Sequence, residues 1–149
     1  MPDITIDGFE EVAVGGQRLD PGGPYTFVIS ERPELKDFDP SRDMETDSDY
    51  KPYLEIRFKV IDGPEQEEPN SSGGTNPAGM IHVQRFYLKA RWGIKRLLIA
   101  TGILSRDDTE SPVAKGKFNT DMLYNCKLQG IVKAEMYNNR EYRNVEPII

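Results

Sequence analysis

One cysteine, one histidine and one tryptophan occur in 149 residues, and each scarcity removes a class of chemistry. A lone Cys126 closes no internal disulfide, and a lone His82 builds no cluster with metal-ligand spacing. The two together suffice on paper for a thiol-imidazole pair, but a buried thiol and an ordinary strand histidine account for them more simply. Neither GxxxxGK[ST] nor a Rossmann glycine fingerprint is present. Long hydrophobic runs are missing too. The most apolar stretch, around Leu97 to Ala100, is far below the roughly 20 residues that span a bilayer. The start MPDITIDGFEE lacks the basic and apolar regions of a signal peptide. We therefore expect one soluble, cytoplasmic domain over residues 1–149, without membrane contact, burying roughly two-thirds of its unfolded surface.

Basic residues are in the minority, 19 Lys and Arg against 25 Asp and Glu, for a net charge of -6. That balance argues against a phosphate-binding surface, until its distribution is followed. Met1 to Ala78 hold 7 basic and 18 acidic residues, a balance of -11, whereas Gly79 to Ile149 hold 12 and 7, a balance of +5. Such asymmetry between halves is a recognised hint of a nucleic-acid surface joined to an acidic segment.

Hydrophobic alternation locates the elements. Residues 4–19 mix short alternation with three glycines and are irregular or weakly stranded. PGGPYTFVIS predicts a turn and a first strand with Tyr25, Phe27 and Ile29 on one face. Residues 31–49, with DFDPSRDMETDSD, form a long acidic loop, and YLEIRFKVI is a second strand with Leu54, Ile56, Phe58 and Val60 inward. Residues 62–79 have the Gly, Pro, Ser and Asn content of a flexible loop. A third strand, Met80 to Leu88, changes phase near Arg85 and Phe86, which predicts a bulge. Trp92 to Leu104 repeats Ile94, Leu97, Leu98 and Ile103 near the helical period. A fourth strand carries Leu128, Gly130, Val132, Ala134 and Met136 in one phase, and Asn138-Asn139 turns it into a fifth.

Three strands, a helix and two strands is the order of the OB-fold. The expected fold is thus mainly β, a five-stranded OB-fold-like Greek-key barrel with one helix between strands three and four and the acidic loop between strands one and two. Other five-stranded barrels and an open α+β sheet fit the same order. OB-folds bind through the face of strands two and three and through the loops joining strands one to two and four to five. That surface would gather Arg57, Lys59, Arg85, Tyr87, Lys89, Arg91 and Trp92 with Lys133, Tyr137, Arg140, Tyr142 and Arg143. Cations that track phosphates beside rings that stack on bases are the equipment for single-stranded nucleic acid. Trp92 and Tyr87 also suit a place in the core against the helix, and the hairpin tyrosines and arginines suit a solubilised sheet edge.

PGGPYTFVI, YLEIRFKVIDGP, FYLKARWGIKRLLIATGI and LQGIVKAEMYNNREYRNV resemble, in that order, small phage-encoded proteins found beside recombination and replication genes. In that family a Gly-x-Tyr strand is followed by a strand ending in Gly, a helix ending in Ala-x-Gly and a final hairpin containing Asn. The likeness runs from Pro21 onward and rests on structural positions such as Gly63, Gly102 and Gly130. It implies single-stranded DNA binding with little sequence specificity in phage replication or recombination, in the host cytoplasm, and it carries over no invariant contact residue. The partners expected are single-stranded DNA and, through the acidic loop, replication or recombination proteins, with no cofactor. Two other classes compete. Asp37, Asp39, Asp43, Asp47 and Asp49 could hold Mg²⁺ for nuclease chemistry, but a Ser-, Asp- and Pro-rich loop is expected to be mobile, where such sites need rigid support. An acidic protein-interaction module, engaging or mimicking a nucleic-acid site on a host protein, would instead make Asp37 to Asp49 the functional segment.

Overall fold

A computed structural model of the chain describes residues 3–5, 18–70 and 73–149. Most of residues 4–19, read above as irregular or weakly stranded, therefore lies outside the described residues. A single antiparallel sheet of six strands carries one α-helix. The strands are β1 (Gly22–Ile29), β2 (Glu34–Lys36), β3 (Tyr53–Asp62), β4 (Ile81–Tyr87), β5 (Lys127–Tyr137) and β6 (Arg140–Pro147). Helix α1 (Arg91–Ala100) follows β4, and a short 3-10 turn (Thr120–Leu123) precedes β5.

β3 organises the sheet. Its alternation puts Leu54, Ile56, Phe58 and Val60 inward, all buried. β4 runs along one edge from Tyr53↔Tyr87 to Lys59↔Ile81. β1 and β2 share the other edge, β1 beside Phe58 to Asp62 and β2 beside Tyr53 to Glu55. β1 then pairs β5, and β5 pairs β6. The tip of that last hairpin has φ of 50° at Asn138 and 64° at Asn139, the left-handed backbone that a two-residue hairpin turn requires and asparagine tolerates. Gln84 of β4 reaches across to β6. Its amide nitrogen donates to the Val145 carbonyl at 3.0 Å, and its amide oxygen accepts from the Val145 N–H at 2.6 Å.

A run of rings fills the core. Tyr25 stacks on Phe27 at 5.7 Å, Phe27 meets Phe58 at 5.5 Å, and Phe58 meets Phe86 at 6.0 Å, each buried Phe contributing about 1.5 to 3 kcal/mol. Ile94, Leu97 and Leu98 cover them from α1, and Leu123, Leu128, Val132 and Val145 complete the cluster.

Four expectations are corrected. The β3–β4 register runs without a shift, so there is no bulge at Arg85 and Phe86. The irregularities lie in β1 instead, at Thr26/Phe27 and between Gly22 and Tyr25. The apparent phase change came from composition, because the inward positions of β4 are His82, Gln84 and Phe86 while apolar Ile81 and Val83 face out. The helix stops at Ala100, not Leu104. Gly102 has φ of 81°, and Leu104 returns its N–H to the Leu98 carbonyl at 3.1 Å. Residues 31–49 contain a short strand, β2, making six strands among the described residues. The rest of that loop is held rather than loose. Asp39, Asp43 and Asp47 each accept the backbone N–H two residues on, at 2.9 to 3.1 Å, the Asx turn that Asp favours. After β3, Gln66 N–H donates to the Thr75 carbonyl at 2.8 Å, and the buried Gln66 amide donates to Tyr25 Oη at 2.9 Å.

Candidate nucleic-acid interface

The outward positions of β3 and β4 make the first part of the surface. Residues paired across the ladder share a face, so Glu55↔Arg85, Arg57↔Val83 and Lys59↔Ile81 lie side by side next to Tyr53↔Tyr87. The Tyr53 and Tyr87 rings meet at 5.4 Å, and the Arg85 guanidinium sits 4.6 Å over Tyr53. A hydrogen bond with Tyr87 raises the Arg85 pKa, and a guanidinium is a cation at any working pH without that shift. Arg57 is shared between Glu31 at 3.3 Å and Glu55 at 3.9 Å. Lys59 is exposed and has no ion-pair partner among the described residues.

The helix supplies the second part. Its buried stripe is Ile94, Leu97 and Leu98, and Trp92 lies about 200° around the helix from Ile94. Trp92 is accordingly 61% exposed and is not part of the core. Arg96, one turn further on, shares its face and reaches β6, donating to the Pro147 carbonyl at 2.6 Å and pairing with Glu146 at 3.3 Å. Between β4, this helix face and β6 lies a groove of about 410 Å³, walled by Arg85, Tyr87, Trp92, Arg96, Asn144 and Glu146. Arg96, Asn144 and Gln84 escaped the sequence analysis. Arg96 could have been found from its spacing of four from Trp92, whereas the place of Asn144 and Gln84 depends on long-range pairing.

The hairpin supplies the third part. Val132↔Val145 is buried, so the same phase continues through Ala134↔Arg143 and Met136↔Glu141. The opposite phase carries Lys133↔Asn144, Glu135↔Tyr142 and Tyr137↔Arg140. Tyr142 and Asn144 thus share a face of the hairpin, Asn144 lines the groove, and the same face carries Tyr137 and Arg140 at the tip. Tyr137 is 68% exposed, and Arg140 has no ion-pair partner among the described residues. Lys133 is held by Glu146, whose carboxyl it keeps below the usual range.

Three predicted residues are not brought to this surface. Arg143 points to the other side of the hairpin, 19% exposed, donating to the Leu19 carbonyl at 2.7 Å and facing Glu141 and Asp20. Lys89 donates to the Asp47 carbonyl at 2.8 Å, and Arg91 pairs with Glu45, so both are taken up by the acidic loop. Cys126 and His82 are bonded apart from each other. Cys126 Sγ donates to the Met122 carbonyl at 3.2 Å, and burial raises its pKa. His82 Nε2 donates to Gln84 Oε1 at 2.9 Å, and burial lowers its pKa.

Among the described residues no three His, Cys, Asp or Glu side chains are grouped to hold a metal ion, and no helix is long and apolar enough to cross a membrane. No protein-family model matches the chain, and no curated protein matches it either.

Proposed function

We propose that the chain is a single-stranded DNA-binding protein with little sequence preference, built on an OB-like barrel and acting in phage replication or recombination. Taking β1 and β2 as one bent strand gives the order β4-β3-β1-β5-β6, and the Gln84 link between β4 and β6 supports closure of that order into a barrel. In that frame β3 and β4 are the second and third strands, and the Asn138-Asn139 hairpin joins the fourth and fifth.

The exposed Trp92 carries the proposal. An indole left in solvent forgoes the burial that usually stabilises so large a ring, and this one borders a groove with Tyr87, Arg85 and Asn144, the last on the hairpin face that also carries Tyr142. Rings spaced along a groove stack on successive bases at about 1 to 3 kcal/mol each, whatever the base. Lys59, Arg85 and Arg140 would meet the phosphates.

Trp92 is the only tryptophan, so its fluorescence reports this groove alone. Titration with oligo-dT of about 20 to 40 nucleotides, beyond the site size of one OB-fold, should quench the emission. Affinity should fall steeply with salt, and duplex DNA should bind less well. Oligo-rU in parallel measures DNA against RNA preference. No complex at low salt would refute the proposal.

A further inference from the structure

The groove above uses one face of α1, with Trp92, Gly93 and Arg96. The opposite face, with Arg91, Ile94, Lys95 and Leu98, borders a separate cleft of about 490 Å³ that shares no residue with it. Ligand-binding clefts fall in the range of about 300 to 1,000 Å³. Ile94, Leu98 and Leu104 from the core form an apolar floor, with Val113 and Phe118 partly buried beside them. Arg91, Lys95 and Lys115 stand on the rim, and no carboxylate lines the cleft. In a chain of net charge -6, an apolar floor ringed by three cations, of which only Arg91 meets a carboxylate, that of Glu45 outside the lining, is a local inversion of the overall charge. Lys95 and Lys115 have no ion-pair partner among the described residues.

The chain itself shows what such a cleft accepts. Met44 of the acidic loop forms part of its wall, and the next residue, Glu45, pairs with Arg91. An apolar side chain with a carboxylate beside it is therefore already seated at one end, while the remaining volume and two lysines are unused. Arg91 and Glu45 are mostly exposed, and an ion pair in that setting contributes only about 0 to 1 kcal/mol, so a competitor can displace it.

We propose that this cleft docks an acidic segment of a partner protein in which an apolar side chain neighbours carboxylates. The apolar side chain would enter over Leu98 and Leu104, and the carboxylates would meet Lys95, Lys115 and, on displacing Glu45, Arg91. A nucleic acid fits less well, because the single ring of the cleft, Phe118, is partly buried and offers no open stacking face.

The probe is a fluorescein-labelled peptide with the sequence of residues 38–49, FDPSRDMETDSD, read by anisotropy. It is titrated into the full chain and into the full-length Met44→Ala/Glu45→Ala variant, whose cleft is vacated. The vacated cleft should bind at least about tenfold tighter, since tenfold corresponds to about 1.4 kcal/mol. Adding Lys95→Glu and Lys115→Glu to that variant should abolish binding, as should Met44→Ser in the peptide. Both lysines are exposed, and an unchanged melting temperature verifies that the charge reversals fold. Binding that is absent from the vacated cleft, or indifferent to the lysines or the methionine, overturns the proposal. Oligo-dT separates it from the DNA groove, because the neutral Lys95→Gln/Lys115→Gln in the otherwise parent chain should still bind oligo-dT and quench Trp92, losing only what the missing charges contribute through their field at low salt. Loss of oligo-dT binding there, with competition between oligo-dT and peptide, would make the cleft a nucleic-acid site and overturn it. So would a concentration-dependent dimer lost on Met44→Ala/Glu45→Ala, which would seat a second copy's loop in the cleft.

Discussion

Arg140 and Arg143 sit three residues apart on one strand, and their surroundings assign them opposite tasks. Arg140 is exposed at the tip on the face shared with Tyr137 and Tyr142, whereas Arg143 is enclosed by Leu19, Asp20 and Glu141. If the groove binds single strands, Arg140→Ala should flatten the dependence of log affinity on log salt by about 0.7, the share of one phosphate contact. Arg143→Ala should leave that slope unchanged and lower stability by about 1 to 3 kcal/mol, because it strips a charged donor from the Leu19 carbonyl. Tyr142→Ala and Trp92→Ala should each weaken binding by about 1 to 3 kcal/mol at constant slope, as stacking does. Salt titrations with oligo-dT and urea melts of the four variants separate these effects. A different residue tests packing alone. A Cβ on Gly63 would lie 2.4 Å from the buried ring of Tyr25, so Gly63→Ala should destabilise by about 1 to 3 kcal/mol, the usual range for overpacking, as read by urea denaturation.

β4 is the element whose sequence misleads most, and its physics explains why. Ile81 and Val83 face out while His82 and Gln84 face in, so hydrophobic alternation assigns the wrong phase until Phe86. The polar inward residues have partners that no local pattern announces, since Gln84 bonds the backbone of Val145, 61 residues away, and His82 bonds Gln84. β1 and β3 were legible because inward apolar residues alternate there without exception, and the final hairpin because Leu128 and Val132 set its phase and Asn138-Asn139 marks its own turn, although Glu141 and Arg143 occupy that phase in β6. Trp92 was half legible. Its hydrophobicity suggested a place in the core, and its angular distance from Ile94, Leu97 and Leu98 is the signal that could have corrected this. Gln84→Ala would leave the buried Val145 N–H and C=O without partners and should lower stability by about 2 to 4 kcal/mol. His82 adds a pH dependence. Burial depresses its folded pKa, so below the unfolded value of about 6.5 the unfolded chain binds a proton that the folded chain refuses. Stability should therefore fall as pH drops below about 6.5, by at most about 1.4 kcal/mol per pH unit from this group, until the folded pKa is reached. His82→Gln should remove that part of the slope in urea melts at pH 7 and pH 5.

Across the whole molecule the acidic and basic halves are in contact through the loop of residues 31–49. Its Asx turns at Asp39, Asp43 and Asp47 and its hold on Lys89 and Arg91 give it a fixed position beside the start of α1, one residue from Trp92. Composition alone made the loop a mobile tract, because the four-residue spacing of three aspartates reads as charge until the backbone bonds they accept are visible. Placed there, its carboxylates would repel a phosphate chain entering the proposed groove. Replacing Asp43, Asp47 and Asp49 by Asn tests this without dismantling the loop, since the Asn carbonyl accepts the same backbone N–H. Asp47→Asn does give up the ion pair with Arg42 at 2.7 Å, an exposed contact of about 0 to 1 kcal/mol. Glu45 is left in place, so Arg91 stays engaged and any change belongs to the field of the loop. Affinity for oligo-dT should rise at low salt. The gain should shrink as the screening length falls from about 10 Å at 0.1 M to about 3 Å at 1 M salt. Equal affinities of variant and parent at every salt concentration would remove the loop from electrostatic competition and leave Met44 and Glu45 only as occupants of the cleft beside α1.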